Sequence, residues 1–406
     1  MGSNRWMLPL CLASLLWAFS FGLNAPLASL WMQDALSNRV EESNRVQTLI
    51  GLNTSFYYLG IAVAACAVPW LMRRRGYRAL AVGMVMSGVT CAAFPWPGDL
   101  TGWFAVRLLN GMAGALSLIP LETYINHTSS PERRAQNFGY YAFCIALGMG
   151  LGTLVGTQMY PTLPRTAFSI GGVAGLLAAV VVLIWKPEMT HALDEIHDQA
   201  PLRLSRNFLS FGSGWSQGFL EGGMVALLPI YLLAVGFSDD GMSWLMSGLM
   251  IGVILAQVPV AWLADKLGRT IVLAGCHLIA LMGIGLLMIP LGTAWLAVWL
   301  FVVGACSGAF YPLGLALLGE RVPPRGLARA TAWYLAINCL GSLTGPMVAG
   351  WAMDQFGRDT LFITGGAAVA LVLGAWLITE VGRRRVRRLR SLRRADPKQR
   401  SIKQAA

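Results

Sequence analysis

Apolar residues run in long blocks along the chain, and polar residues gather in short connections between them. Each block reaches roughly 18 or more residues, the length a helix needs to cross a bilayer. Within lipid a segment must satisfy its own backbone polar groups, and blocks this long do not suit barrel strands. The pattern therefore predicts twelve helices, over residues 7–31, 46–71, 79–96, 100–126, 135–160, 165–185, 207–233, 242–264, 271–290, 293–318, 328–353 and 360–381. The first block continues to Trp31, past the apolar core of a secretory leader, so a retained span is expected. The expected fold class is an all-α membrane protein with twelve transmembrane helices.

The polar connections suggest an orientation. With residue 1 placed inside, the inner segments hold 26 Lys/Arg and the outer ones four: Arg39, Arg45, Arg165 and Arg358. Positive charge collects on the cytoplasmic side. A multi-pass protein of the cytoplasmic (inner) membrane with both termini inside is expected. The longest inner connection divides the chain. The expected units are an N-terminal six-helix bundle at 1–186, a linker at 187–206, a second six-helix bundle at 207–381 and a basic cytoplasmic tail at 382–406. The halves look related at an offset of 192 residues, which matches Gly76 to Gly268, Pro120 to Pro312 and Arg133 to Arg325. Two pseudo-symmetric bundles of this kind enclose a cavity where they meet.

Composition narrows the classes further. The chain is 56% hydrophobic and 12% charged, which leaves no large soluble domain. Of the formal net charge of +12, residues 383–403 contribute eleven Lys/Arg less Asp396, or +10, so the remainder carries +2. Basicity confined to a tail argues against nucleic acid and for anionic lipid headgroups as partners. The seven cysteines lie in apolar runs without metal-site spacing and read as small packing residues. No nucleotide loop, metal cluster or nucleophile–base pair is legible. Neither an enzyme nor a cofactor is expected, and the chain is expected to be a monomer.

Charged residues inside the apolar blocks carry the chemistry. Between spans 8 and 9 lies AWLADKLGRT, residues 261–270. Gly268 permits the tight reversal. Asp265, an anion at the membrane edge, calls for a cation on a neighbouring helix, and Arg329 at the start of span 11 is the candidate. Such a pair can latch a gate in one state and break in the other. The mirror loop, PWLMRRRGYR at 69–78, has Arg73 at the acidic position, with Glu132 available as a counter-charge. Span 4 contains RLLNGMAGA at 107–115. A guanidinium in a bilayer must face a wet cavity or an acid, or else snorkel to the surface. Glu122 lies in span 4 and Glu221 in span 7, the latter about 14 residues in, near mid-membrane. Desolvation disfavours charge on a carboxyl, so one placed there can load and release a proton as access changes. Glu122 can equally pair with the Arg-rich loop at 73–78. Asn24, Gln217 and Asn338 are further candidates to line the cavity. Gly148, Gly152 and Gly156 recur every fourth residue, as close helix packing requires.

The 261–270 loop resembles the signature loop of the major facilitator superfamily, G-x-L-A-D-R-x-G-R-K, with Ala261 in place of the first Gly. The Arg107 segment resembles that superfamily's span-4 motif, R-x-x-x-G. IPLETYIN at 119–126 and GFLEGG at 218–223, with Pro229 to Tyr231, resemble its YcaD-like branch. The resemblance implies a transporter with alternating access, and for Arg107 a part in proton coupling or in binding an anionic substrate group. Span 5 lacks the Gly-Pro pair of the superfamily's antiporter signature, so the sequence gives no argument for drug/proton exchange. The expected function is a secondary active transporter moving a small organic solute, with the proton as coupling ion. Glu221 would be its main protonation or substrate site and Arg107 the electrostatic partner. Asp265, Arg269 and Arg329 would form a cytoplasmic gate latch. The alternative is a non-transporting receptor, scaffold or lipid scramblase on the same fold. A polar cavity between the halves separates the two.

Overall fold

A computed structural model describes residues 6–37, 43–129, 133–188, 207–289 and 292–395. The helices are α1 (Met7–Ser37), α2 (Val46–Ala65), α3 (Val68–Arg75), α4 (Tyr77–Ala93), α5 (Leu100–Thr128), α6 (Arg134–Met159) and α7 (Pro164–Trp185), followed by α8 (Phe208–Ala234), α9 (Asp239–Leu267), α10 (Arg269–Leu287), α11 (Thr293–Arg321), α12 (Pro324–Phe356) and α13 (Thr360–Ala395). Ten of them are long and apolar enough to cross a membrane. The 17-residue α4 and the 33-residue α12, with its internal Asn, Ser, Thr and Gly, complete twelve passes.

Two boundaries depart from the expected pattern. The second span breaks after Ala65 and resumes as α3 at Val68. Pro69 is the cause: it has no N–H to offer the carbonyl four residues back, and its ring crowds that carbonyl. The position 192 residues on is Ala261, where α9 continues unbroken. The last helix runs past residue 381 to Ala395. Arginine is a good helix former, and no Gly or Pro interrupts residues 383–395. The side chains of that extension lie outside the described residues, as do Glu132 and the side chain of Arg325.

The symmetry legible in the chain has a backbone counterpart. Gly76 and Gly268 both occupy left-handed φ, at +54° and +92°, and each reverses the chain between consecutive helices. Pro120 and Pro312 lie inside α5 and α11. The first six passes pack mainly on one another, as α1 on α6 and α7, α4 on α5 and α7, and α2 on α5. The last six do likewise, as α8 on α12, α11 and α13, and α11 on α9 and α10. The start of α1, the end of α7, the start of α8 and the end of α13 share one end of the bundle, called here the terminal face; the opposite end is the far face.

The halves meet along α2 with α12, α6 with α9 and α1 with α8. Toward the far face the α2–α12 seam is hydrogen-bonded. The backbone N–H groups of Gln47 and Thr48 donate to the Asp354 carboxylate at 3.2 and 2.6 Å, and the Thr48 hydroxyl donates to it at 2.6 Å. Ser55 donates to the Leu343 carbonyl at 2.6 Å. Asp354 thus caps α2 from the other half. The residue before α2, Arg45, supplies no side-chain cap of its own, and the first-turn amides of a helix need an acceptor. Meanwhile α5 and α11 pack within their own halves, so these two helices do not close the terminal face.

Close approach between helices depends on glycine. A Cβ on Gly148 would run into the Leu15 carbonyl of α1, and one on Gly152 into that of Phe19. These contacts set α1 against α6, and α1 carries part of the site described below. Gly152→Leu is expected to destabilise the protein by ~1–3 kcal/mol through overpacking, read as a lower melting temperature in detergent. Gly248 has open space where a Cβ would stand, so Gly248→Ala should leave the melting temperature unchanged or slightly raised.

Candidate functional site

The glycines of α5 decide where Arg107 goes. Gly111 lies against the backbone of Tyr57 in α2, and Gly60 of α2 lies against the Leu108 carbonyl of α5. With these two backbones in contact, the Tyr57 ring covers the Arg107 guanidinium at 5.5 Å, a cation–π arrangement. Arg107 is 1% exposed, which excludes the snorkelling alternative. Its Nη1 donates to Oδ1 of Asn24 in α1. Its Nε and the Asn24 Nδ2 are buried without a hydrogen-bond partner. Among the described residues no carboxylate forms an ion pair with Arg107.

The second half contributes the acid. Glu221 is half-buried on α8. One turn earlier, Gln217 donates through Nε2 to the Glu221 carboxylate. Asn338 of α12 donates to Oε1 of Gln217 at 2.6 Å and to the Gly214 carbonyl at 2.8 Å. An amide relay therefore runs from α12 through Gln217 to Glu221. It fixes which way the Gln217 amide points, because its oxygen must face Asn338 and its nitrogen Glu221.

These two networks meet. Arg107, Thr54, Tyr57 and Tyr58 of the first half and Glu221 and Gly222 of the second line one constricted cavity of about 10 Å³. That is about the room one water requires. A buried cation and an acid from opposite halves thus share a cavity without pairing with each other. Five of the six residues singled out in the sequence belong to this constellation: Asn24, Arg107, Gln217, Glu221 and Asn338. Tyr57, Tyr58 and Thr54 were not among them. The run of polar and aromatic residues from Asn53 to Tyr58 within a span was the available signal.

Glu122 stands apart. It is half-buried on α5, within electrostatic reach of Tyr141 on α6 and Tyr311 on α11. It forms no ion pair with Arg73, Arg74, Arg75 or Arg78 among the described residues, so the alternative of pairing with that loop is not realised in this structure. His277, an intramembrane histidine, is fully buried and stacked on Phe310 at 3.8 Å, with the Leu273 carbonyl 2.8 Å from Nδ1 and the Ser216 hydroxyl 3.2 Å from Nε2. It packs α10 against α8 and α11.

The Asp265–Arg329 latch is not formed in this structure. Asp265 lies 3.5 Å from Arg269, one turn on, and its side chain is 70% exposed. Arg269 reaches further, to Glu320 at 3.2 Å and to the Ala316 carbonyl at 3.0 Å, and so ties the start of α10 to the end of α11. Arg329 is exposed and makes no ion pair with Asp265. The reason is topological: α9 packs on α11, α6, α10 and α8, whereas Arg329 rides on α12.

Comparison with known proteins agrees with this architecture. A sequence description of the Major Facilitator Superfamily matches residues 10–238 and 208–404. The uncharacterized MFS-type transporter YfkF of Bacillus subtilis (strain 168) is 27% identical over 381 residues, covering 88% of this chain and 92% of its own. The uncharacterized MFS-type transporter YcaD of Escherichia coli is 26% identical over 320 residues, covering 77% and 82%. The crystal structure of a D-xylose-proton symporter superposes with a TM-score of 0.71 at 19% identity, covering 91% of this chain and 96% of that one; at that identity the likeness concerns the fold.

The relay makes a quantitative prediction. Gln217→Leu strands Asn338 and Glu221 together, and is expected to cost ~1–3 kcal/mol. Asn338→Leu should cost a comparable amount. The double variant should cost clearly less than the sum, because both changes remove one shared bond. Melting temperatures of the four proteins in detergent close the cycle.

Proposed function

The chain belongs to the Major Facilitator Superfamily, and we propose that it is a secondary active transporter that moves a small organic solute by alternating access, coupled to protons. The observation that carries this reading is the cavity between the halves, where Arg107 from one bundle and Glu221 from the other stand unpaired. A static scaffold has no use for two such groups; each is costly in a bilayer unless something is bound or exchanged there. In this reading Glu221 loads and releases the proton, with the amide relay holding its carboxyl in place. Arg107, braced by Asn24 and Tyr57, meets the solute or the charge that Glu221 leaves behind. A water-sized cavity admits no organic solute, so entry requires the bundles to rock apart.

The charge distribution supports placing the terminal face in the cytoplasm. The α2–α12 seam then closes the outer side, with Asp354 as its latch. Opening outward would uncap α2 at the cost of an N-cap. At the inner side Asp265 is exposed and Arg269 is held to α11, which leaves the Asp265 carboxylate available to a partner when that side closes.

Reconstitution into liposomes with an imposed pH gradient tests the coupling. Glu221→Gln is expected to abolish gradient-driven accumulation while leaving solute exchange across the membrane measurable. Unchanged pH dependence for every accepted solute would remove the proton role from Glu221. The latch has its own readout. Asp354→Ala should shift the balance toward outward opening by the worth of an N-cap, ~0.5–2 kcal/mol. Spin labels at Asn44 and Gln355, which flank the seam, would then report a broader and longer distance distribution. An unaltered distribution would show that the cap does not hold the gate.

A further inference from the structure

The loop between α3 and α4 has no role in the mechanism above, yet it builds a concave site. Arg73, Arg74, Arg75 and Arg78 surround a pocket of about 750 Å³ together with Lys186 and Glu188 from the end of α7. Five cations against one acid leave a net charge of +4 around one hollow. Like charges at this spacing repel, and among the described residues none of the five forms an ion pair with a carboxylate. Arg74 is instead occupied by the Trp70 ring, at 4.6 Å.

The backbone is shaped around the hollow. Gly76 turns the chain at φ +54°, and Lys186 is the one non-glycine residue with positive φ among those described, at +50°. A lysine in the left-handed region is strained. Here that conformation ends α7 and directs the chain past the pocket. The equivalent loop of the other half keeps Asp265 beside Lys266 and Arg269 and so offsets half of its own positive charge. Only the first-half loop has exchanged its acid for Arg73.

We propose that this pocket binds the headgroup of an anionic phospholipid. Two observations favour a lipid over a soluble phosphate. The pocket lies where the helices α3, α4 and α7 end at the terminal face, which is the level of the headgroups. Its flanks are apolar and open outward: Trp70 is 51% exposed, Leu183 46% and Ile184 78%. Acyl chains can lie along these side chains while the phosphate sits among the guanidiniums. Arginine suits the task because its planar fork offers paired donors to phosphate oxygens. Basic pockets between transmembrane helices hold lipid headgroups in this way.

Native mass spectrometry of the full-length protein in a neutral detergent tests the site. The probes are phosphatidylglycerol, phosphatidylcholine and inorganic phosphate. Phosphatidylglycerol should be retained in preference to phosphatidylcholine, and inorganic phosphate should not displace it. Arg73→Gln with Arg75→Gln should weaken retention by roughly fivefold for each charge removed. Arg78→Gln with Lys186→Gln provides a second pair should the first fold poorly. Replacing Arg383, Arg384 and Arg385 by Gln should leave the retained lipid in place, which separates the pocket from the basic tail. Equal retention of both lipids, displacement by inorganic phosphate, or retention unaffected by either pocket pair would overturn the proposal. No retention at all would overturn it too, and would point to the chain's own acids as the counter-charge.

Discussion

A guanidinium buried in a bilayer must be provided for by its own protein, and the burial of Arg107 organises much of this structure. With 1% of its surface exposed, it cannot reach headgroups. Its provision is a ring and an amide rather than a carboxylate: Tyr57 covers its face and Asn24 accepts from Nη1. Both require close helix approach. Tyr57 reaches Arg107 because Gly60 and Gly111 let α2 and α5 touch along their backbones, and Asn24 is held by α1 packing on the glycines of α6. A carboxylate in the same place would have neutralised the charge permanently. Neutral partners leave it able, in the proposed mechanism, to answer a charge that comes and goes on the opposite half.

The seam between halves is built on a different principle. Packing alone would make α2 and α12 hard to separate, whereas the far-face clasp is polar and divisible. Three of its hydrogen bonds end on the single carboxylate of Asp354. Water can replace that carboxylate at the α2 terminus once the seam opens, so the net cost of parting is far smaller than three isolated bonds in lipid would suggest. Such an interface can hold one state without trapping the protein in it.

Much of this was readable in the chain, and the parts that were not share a cause. Helix content and number follow from block length, because lipid admits few alternatives. Arg107 and Glu221 stood out since charge within an apolar block needs an explanation. Asp265 and Arg329 are not paired in this structure, and sequence proximity to a membrane face says nothing of which helices are neighbours around the bundle. Tyr57 and Tyr58 went unnoticed because an aromatic in a span is ordinarily packing material. Asp354 was hidden for the same reason as the latch: its partner is the backbone of a helix some 300 residues away in the chain, and backbone amides carry no sequence signature. The break at Pro69 was legible in principle, but an apolar run on both sides of a proline reads as one block.

The two halves share a backbone plan and divide the electrostatics between them. The reversals at Gly76 and Gly268 and the prolines of α5 and α11 are matched. The charges are not. The cavity's cation comes from the first half and its acid from the second, and the loops at the terminal face differ in the same sense, all-cationic at 73–78 and mixed at 265–269. A symmetric pair of acids, or of cations, facing each other across the seam would repel and hold the bundles apart. Opposite charges on opposite bundles draw them together across the cavity, and in the proposed mechanism a proton arriving at Glu221 would weaken that attraction. In that mechanism the two halves are the bodies that move, and the unequal charges give a proton a means of moving them.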